Sequence, residues 1–197
     1  MLQLHLRDIN PAVTTALEVA FADEPAVTVS QGDILAVTGD AIVSPANSFG
    51  YMDGGIDLLY SRYFGYGLEE ALRARLRDEH YGELPVGQAL MVATGHAKIP
   101  FLVSAPTMRV PDSISRTVNV YLACRAALIA VRAHNERTGA KPITTLLMPG
   151  LGTGVGDMPP ERAARQMRLA WDAIIHGYGR RERNAGQIWG EQFELLN

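Results

Sequence analysis

The stretch Ala41–Asp57, AIVSPANSFGYMDGGID, decides how this chain folds. Ala41, Ile42 and Val43 are apolar and contiguous, as expected for a strand buried on both faces of a parallel sheet. Without a spacer the chain becomes polar and glycine-rich. Asn47 carries an amide that both donates and accepts hydrogen bonds, and Gly54 and Gly55 have no Cβ to hold a ligand off the backbone. Asp57 stands where the pattern turns helical, with its carboxylate expected at the same crevice. In open α/β sheets, ligands bind in that crevice beyond the strand ends.

Working outward, Leu2–Leu6 and Val27–Val29 read as short strands separated by a helix over Pro11–Phe21, with Asn10 as its cap. A helix is predicted from near Gly55, and another over Leu68–His80 that stops at Tyr81 and Gly82. Strands are expected at Ala89–Ala93, Phe101–Ala105 and Ile143–Met148. The longest predicted helix, Ser113–Glu136, turns Val118, Leu122 and Ile129 inward and ends at Thr138 and Gly139. Pro160–Ile175 is the last predicted helix of the body. Strands alternating with helices of this length predict an α/β fold with helices on both faces of a mostly parallel sheet. Residues 1–176 are expected to form one domain. The tail, 177–197, places Trp189, Phe193 and Leu196 on one helical face, expected to dock on the body or a partner subunit.

A chain of 197 residues with 47% hydrophobic content can bury one full core. Its net charge of −3 and dispersed Lys and Arg provide no basic stripe for a nucleic-acid backbone. Cys124 is the only cysteine, which excludes an internal disulfide and a cysteine zinc site and suits a reducing cytoplasm. No window approaches a membrane-spanning run of roughly 18 apolar residues, and the N-terminus does not read as a signal peptide. The expected protein is cytoplasmic, with no membrane partner.

A second loop, PGLGTGVGDMPP, Pro149–Pro160, follows the last predicted strand and precedes the last predicted helix of the body. Its glycines alternate from Gly150 to Gly156, so successive N–H groups can form an anion-binding concavity to which the next helix adds a dipole. The loop lacks the Lys of a Walker motif and the register of a Rossmann fingerprint. A turn that merely needs positive φ angles is the plain alternative. His5, His80, His96, His134 and His176 are scattered without ligand spacing, so no metal site and no cofactor are expected. Cys124 lies in an apolar helical pattern, where a buried thiol is expected rather than a nucleophile, and no GxSxG supports serine-hydrolase chemistry.

Taken together, from about Val29 to Ile175, these segments resemble the macrodomain family of ADP-ribose-binding modules. The resemblance implies a three-layer α/β/α sandwich around a mixed, mostly parallel sheet. Gly32-Asp33-Ile34 is similar to the family's GDI turn, which implies that Asp33 contacts the adenine amino group. Ser44-Pro45-Ala46-Asn47 stands at the NAAN-like sequence, which places Asn47 beside the distal ribose. Asp53-Gly54-Gly55-Ile56-Asp57 is similar to the GGGVD loop and implies Asp57 as the catalytic carboxylate. Gly152-Thr153-Gly154-Val155-Gly156 resembles the diphosphate loop. The implied partner is ADP-ribose or a mono-ADP-ribosylated macromolecule, with nucleic acid a partner only if it is so modified. Implied activities are hydrolysis of mono-ADP-ribose from a target, non-catalytic reading of the mark, or removal of phosphate from ADP-ribose 1″-phosphate.

Departures from the pattern bear on activity more than on fold. Ser44 replaces the first asparagine, Asp53 replaces a glycine, and Leu58 follows Asp57 where a glycine is usual. Gly156 stands where many members carry an aromatic residue, for which Tyr51 or Phe49 is the candidate substitute from the opposite loop. The residues themselves leave alternatives open. Asp33 either accepts from an exocyclic amino group or caps a local turn. Asn47 either meets a ligand or ties down its own loop. Asp57 either serves as a general base or compensates a helix dipole, which is also expected to keep it ionised.

Overall fold

The computed structural model describes residues 1–138 and 142–197. Its strands are β1 (Gln3–Asp8), β2 (Val27–Gln31), β3 (Ala41–Ser44), β4 (Leu90–His96), β5 (Ile99–Ser104) and β6 (Thr145–Met148). Its helices are α1 (Pro11–Ala20), α2 (Gly55–Phe64), α3 (Gly67–His80), α4 (Asn119–Thr138), α5 (Pro160–Ile174) and α6 (Ala185–Leu196). The strands form one sheet in the order β2-β1-β6-β3-β5-β4. All pairs are parallel except the β4–β5 hairpin, so the sheet is mixed and mostly parallel, as expected.

The two faces of the sheet carry separate cores. Leu4, Leu6, Val43, Val103, Leu146 and Met148 pack with α1, α4 and α5. Ile42, Leu102 and Leu147 turn the other way, onto Tyr60 of α2 and Leu68, Leu72 and Leu76 of α3. β3 lies inside the sheet, and all four of its residues are buried, which is why its sequence shows no polar alternation. Side chains that alternate across the strands thus build a three-layer α/β/α sandwich. Among the described residues, no helix is long and apolar enough to cross a membrane.

Several elements differ from expectation. The longest helix begins at Asn119, and Ser113–Val118 is a loop. Local side-chain bonds compete with helix there: Asp112 Oδ1 accepts from Ser113 N at 2.7 Å, and Thr117 Oγ1 donates to Ile114 O at 2.8 Å. The inward face of α4 is Val120, Ala123, Cys124, Ala127, Leu128 and Val131, whereas Leu122 is half-buried and Ile129 is exposed. The stop expected at Gly139 lies outside the described residues. The tail rests on the body through Leu195, whose carbonyl accepts from Gln166 Nε2 of α5 at 2.8 Å. Trp189 and Phe193, expected to dock, are 69% and 70% exposed, and Leu196 is half-buried.

Candidate functional site

Five parallel strands deliver their C-terminal ends to one cleft of about 470 Å³. Asp8 comes from the end of β1, Asp33 and Ile34 follow β2, and Asn47 follows β3. Thr107 and Met108 follow β5, and Gly150–Gly156 follow β6. Only β4, which runs the other way, sends nothing. The residues expected to meet the ligand all line this cleft: Asp33, Ile34, Asn47, Gly54, Gly55, Ile56, Asp57, Gly152, Thr153, Gly154, Val155 and Gly156.

Two sets of backbone N–H groups face the cleft. α2 starts at Gly55 without a side-chain cap, and its first intrahelical bond is Leu58 N to Gly54 O, so the N–H groups of its first turn remain for an anion. In the glycine loop, Gly150 N donates to Asp8 Oδ2 at 3.0 Å and Met158 N donates to Gly152 O at 3.0 Å. Between them, among the described residues, the N–H groups of Gly152 to Gly156 meet no acceptor within the protein. Successive unpaired N–H groups of this kind can receive an anion. Pro159 and Pro160, at the start of α5, do not line the cleft, whereas the first turn of α2 does.

The glycine loop is held from behind by the segment expected to be helical. Ile114 is buried, and its N–H donates to Gly156 O at 2.8 Å. A Cβ on Gly156 would lie 2.6 Å from Gly152 O and 2.8 Å from Ile114 Cγ1, so no aromatic side chain fits there without displacing the loop. On the opposite loop, Tyr51 lines the cleft with the Arg73 guanidinium stacked 4.2 Å from its ring centre. Phe49 does not line it.

Asp33 caps the short 3-10 turn Ile34–Ala36, where its Oδ1 accepts from Leu35 N at 2.9 Å. No hydrogen bond within the described residues uses its Oδ2. The turn depends on Gly32, whose φ of +136° disfavours a side chain and whose added Cβ would sit 2.3 Å from the Arg7 guanidinium. Asn47 Oδ1 accepts from Phe49 N at 3.0 Å and Tyr51 N at 3.3 Å, and its Nδ2 donates to Tyr51 O at 2.8 Å. Its amide therefore ties down its own loop, and one Nδ2 hydrogen is left for a ligand.

Asp57, in the first turn of α2, is 7% exposed and accepts a hydrogen bond from Ser44 Oγ at 2.6 Å. Burial pushes its carboxyl up to about 7, and the Ser44 hydrogen bond only partly opposes that rise. Burial thus acts against the ionisation expected from the helix dipole.

Sequence reading missed Asp8 and the roles of Arg7 and Thr107 in the lining. An acid at the very end of the first strand is the one signal that marks Asp8. Among the described residues, the only three-residue group with metal-ligand spacing is Glu24, Asp172 and His176, outside the cleft. Its acids are already engaged: Glu24 by the Trp171 indole and His176, and Asp172 by Arg168.

The model of the Macro domain matches residues 43–167. An uncharacterized protein of Aquifex aeolicus is 37% identical over 141 residues, 72% of this chain and 78% of that protein. O-acetyl-ADP-ribose deacetylase 2 of Pantoea vagans is 29% identical over 76% of this chain and 81% of its own length. Among solved structures, the Oceanobacillus iheyensis macrodomain with ADP superposes with a TM-score of 0.62 at 22% identity, covering 74% of each chain. The macrodomain of Mycobacterium tuberculosis DarG reaches the same TM-score and identity over 75% of this chain and 90% of that one. By the extent of the matched model and the identity to its relatives, this chain belongs to the macrodomain family.

Proposed function

We propose that this chain binds ADP-ribose in the cleft and hydrolyses mono-ADP-ribose from modified targets. The observation that carries the reading is the placement of the buried Asp57 carboxyl, held by Ser44, in the same cleft as two sets of free backbone N–H groups. The diphosphate lies between the first turn of α2 and the Gly152–Gly156 nest, where both present donors to negative charge. Adenine lies beside Ile34, with its amino group donating to Asp33 Oδ2. The distal ribose lies between Asn47 and Asp57, its hydroxyl receiving the remaining Asn47 N–H. Relatives named O-acetyl-ADP-ribose deacetylase and a solved DarTG in complex with ADP-ribose support the ligand class.

Ionised Asp57 takes a proton from water, or orients it, for attack at the anomeric carbon of the distal ribose. As the leaving group departs, positive charge grows on the ribose, and the carboxylate and the bound diphosphate stabilise it. An ester on the same ribose presents its carbonyl to the same water. The single buried thiol and the lack of a membrane-spanning helix among the described residues suit a cytoplasmic setting.

Two observations favour a second reading, a non-catalytic reader: the Asn47 amide is largely occupied by its own loop, and position 156 supplies no aromatic side chain. Incubation with an auto-modified ADP-ribosyltransferase, following free ADP-ribose over time, separates the two. A hydrolase releases nucleotide, and a reader binds without release. ADP-ribose 1″-phosphate, assayed in parallel for inorganic phosphate, tests the phosphatase reading.

A further inference from the structure

Ser44 is the last residue of β3 and is fully buried. Its Oγ donates to Asp57 Oδ1 at 2.6 Å, and no other hydrogen bond among the described residues reaches the Asp57 carboxylate. The central strand of the sheet thus ends in a hydroxyl that grips one oxygen of the acid lining the cleft. With Oδ1 held in this way, rotation of the carboxylate is fixed and Oδ2 is left for the cleft. We propose that Ser44 is the positioning residue for the Asp57 carboxylate, setting its orientation in the cleft.

The surroundings make Ser44 the main polar support of that anion. Tyr60, one turn along α2, spends its phenol proton on Val43 O at 3.2 Å. Its own ionisation is pushed well up by burial and then by Asp57, Asp8 and Asp33, so it remains a neutral phenol. Asp8, Asp33 and Asp53 line the same cleft and bring no positive charge to it. Arg7 also lines the cleft, but its guanidinium is bonded to Ser30 Oγ and the Asp33 carbonyl. Burial drives Asp57 toward the neutral acid, and the Ser44 hydrogen bond acts against it.

The inference rests on the hydrolase reading only for its effect on turnover, and the experiment separates the two. The Asp57 carboxyl signal, assigned by its loss in Asp57→Asn, is titrated by ¹³C NMR in wild type, Ser44→Ala and Ser44→Thr. Ser44→Ala is expected to raise the midpoint by about one pH unit, tenfold in proton affinity, as for loss of a hydrogen bond to a charged group. Ser44→Thr, which keeps the hydroxyl, is expected to stay near wild type. Should Ser44→Ala not fold, Ser44→Cys, similar in size but a weak donor, is read in its place. An unmoved midpoint, or a Thr variant that moves as far as Ala, overturns the proposal. In the hydrolysis assay, the acid limb of kcat should shift by the same amount while KM is unchanged. A wild type that releases no ADP-ribose sinks the hydrolase reading, yet the carboxyl titration still decides the role of Ser44.

Discussion

Asp8 Oδ2 accepts the Gly150 N–H at 3.0 Å, so one carboxylate at the end of the first strand anchors a loop 142 residues away. Its other oxygen accepts from Asn10 N at 2.9 Å, which fixes the rotamer from the side of α1. Asp8→Ala is expected to loosen the start of the glycine loop and weaken ADP-ribose binding by about 1 to 2 kcal/mol, with adenosine less affected. Calorimetry with the two ligands measures the difference. Tighter ADP-ribose binding would show that the carboxylate repels the diphosphate more than it organises the loop.

Asp33 spends one oxygen on its own turn and keeps the other free of the protein. Asp33→Ala is expected to cost about 1.5 to 3 kcal/mol of ADP-ribose affinity, as for a hydrogen bond to a charged group. An unchanged dissociation constant in a folded variant leaves Asp33 with the capping role alone.

Gly154 and Gly156 stand two residues apart and answer differently to a side chain. A Cβ on Gly154 meets nothing within 4 Å, whereas one on Gly156 meets Gly152 O at 2.6 Å. Gly156→Ala is expected to destabilise the fold by about 1 to 3 kcal/mol through overpacking. Gly154→Val is expected to leave stability within about 0.5 kcal/mol while weakening ADP-ribose much more than adenosine. Urea unfolding and calorimetry together test the pair. Equal losses for both ligands would mean that the Gly154 variant disturbs the fold rather than the phosphate site.

Asp57 couples function to stability. Its folded pKa of about 7 lies above the ordinary 3.8, so between those values the folded protein binds more protons than the unfolded chain. The stabilising contribution of this group is full at low pH, falls as pH rises toward 7 and is flat above. Asp57→Asn, neutral at every pH, should therefore raise unfolding free energy more at pH 8 than at pH 5, by on the order of 2 kcal/mol. The same variant should lose about 10²- to 10⁴-fold in hydrolysis rate with little change in ADP-ribose affinity. Wild-type hydrolysis should rise through neutral pH as the acid ionises. A stability gain that does not depend on pH would place the Asp57 pKa near its ordinary value.

The stretch Ala41–Asp57 could be read correctly because its two signals are local: an uninterrupted apolar strand, then glycine and amide where backbone must meet a ligand. Ser113–Val118 looks helical in sequence because Ile114 and Val118 fit a helical period, while the turn bonds of Asp112 and Thr117 leave no mark on periodicity. The inner face of α4 was misplaced for a related reason, since Ala123, Cys124 and Ala127 are small and stand out less than Leu122 and Ile129. A helix start at Asp57 is visible in sequence, but the burial that raises its carboxyl is set by the assembled layers. Asp8 and Ser44 are legible as residue types only, because their partners, Gly150 and Asp57, are chosen by the tertiary fold.

The chain's two tryptophans occupy opposite environments. Trp171 is fully enclosed, with its indole N–H on Glu24 Oε2 at 3.0 Å, while Trp189 on α6 is 69% exposed. Intrinsic fluorescence therefore contains a blue-shifted emission from the core and a red-shifted one, open to acrylamide quenching, from the tail. Changes confined to the quenchable component report what happens to α6 alone, and loss of the protected component reports unfolding of the sandwich, so one unlabelled sample distinguishes the two events.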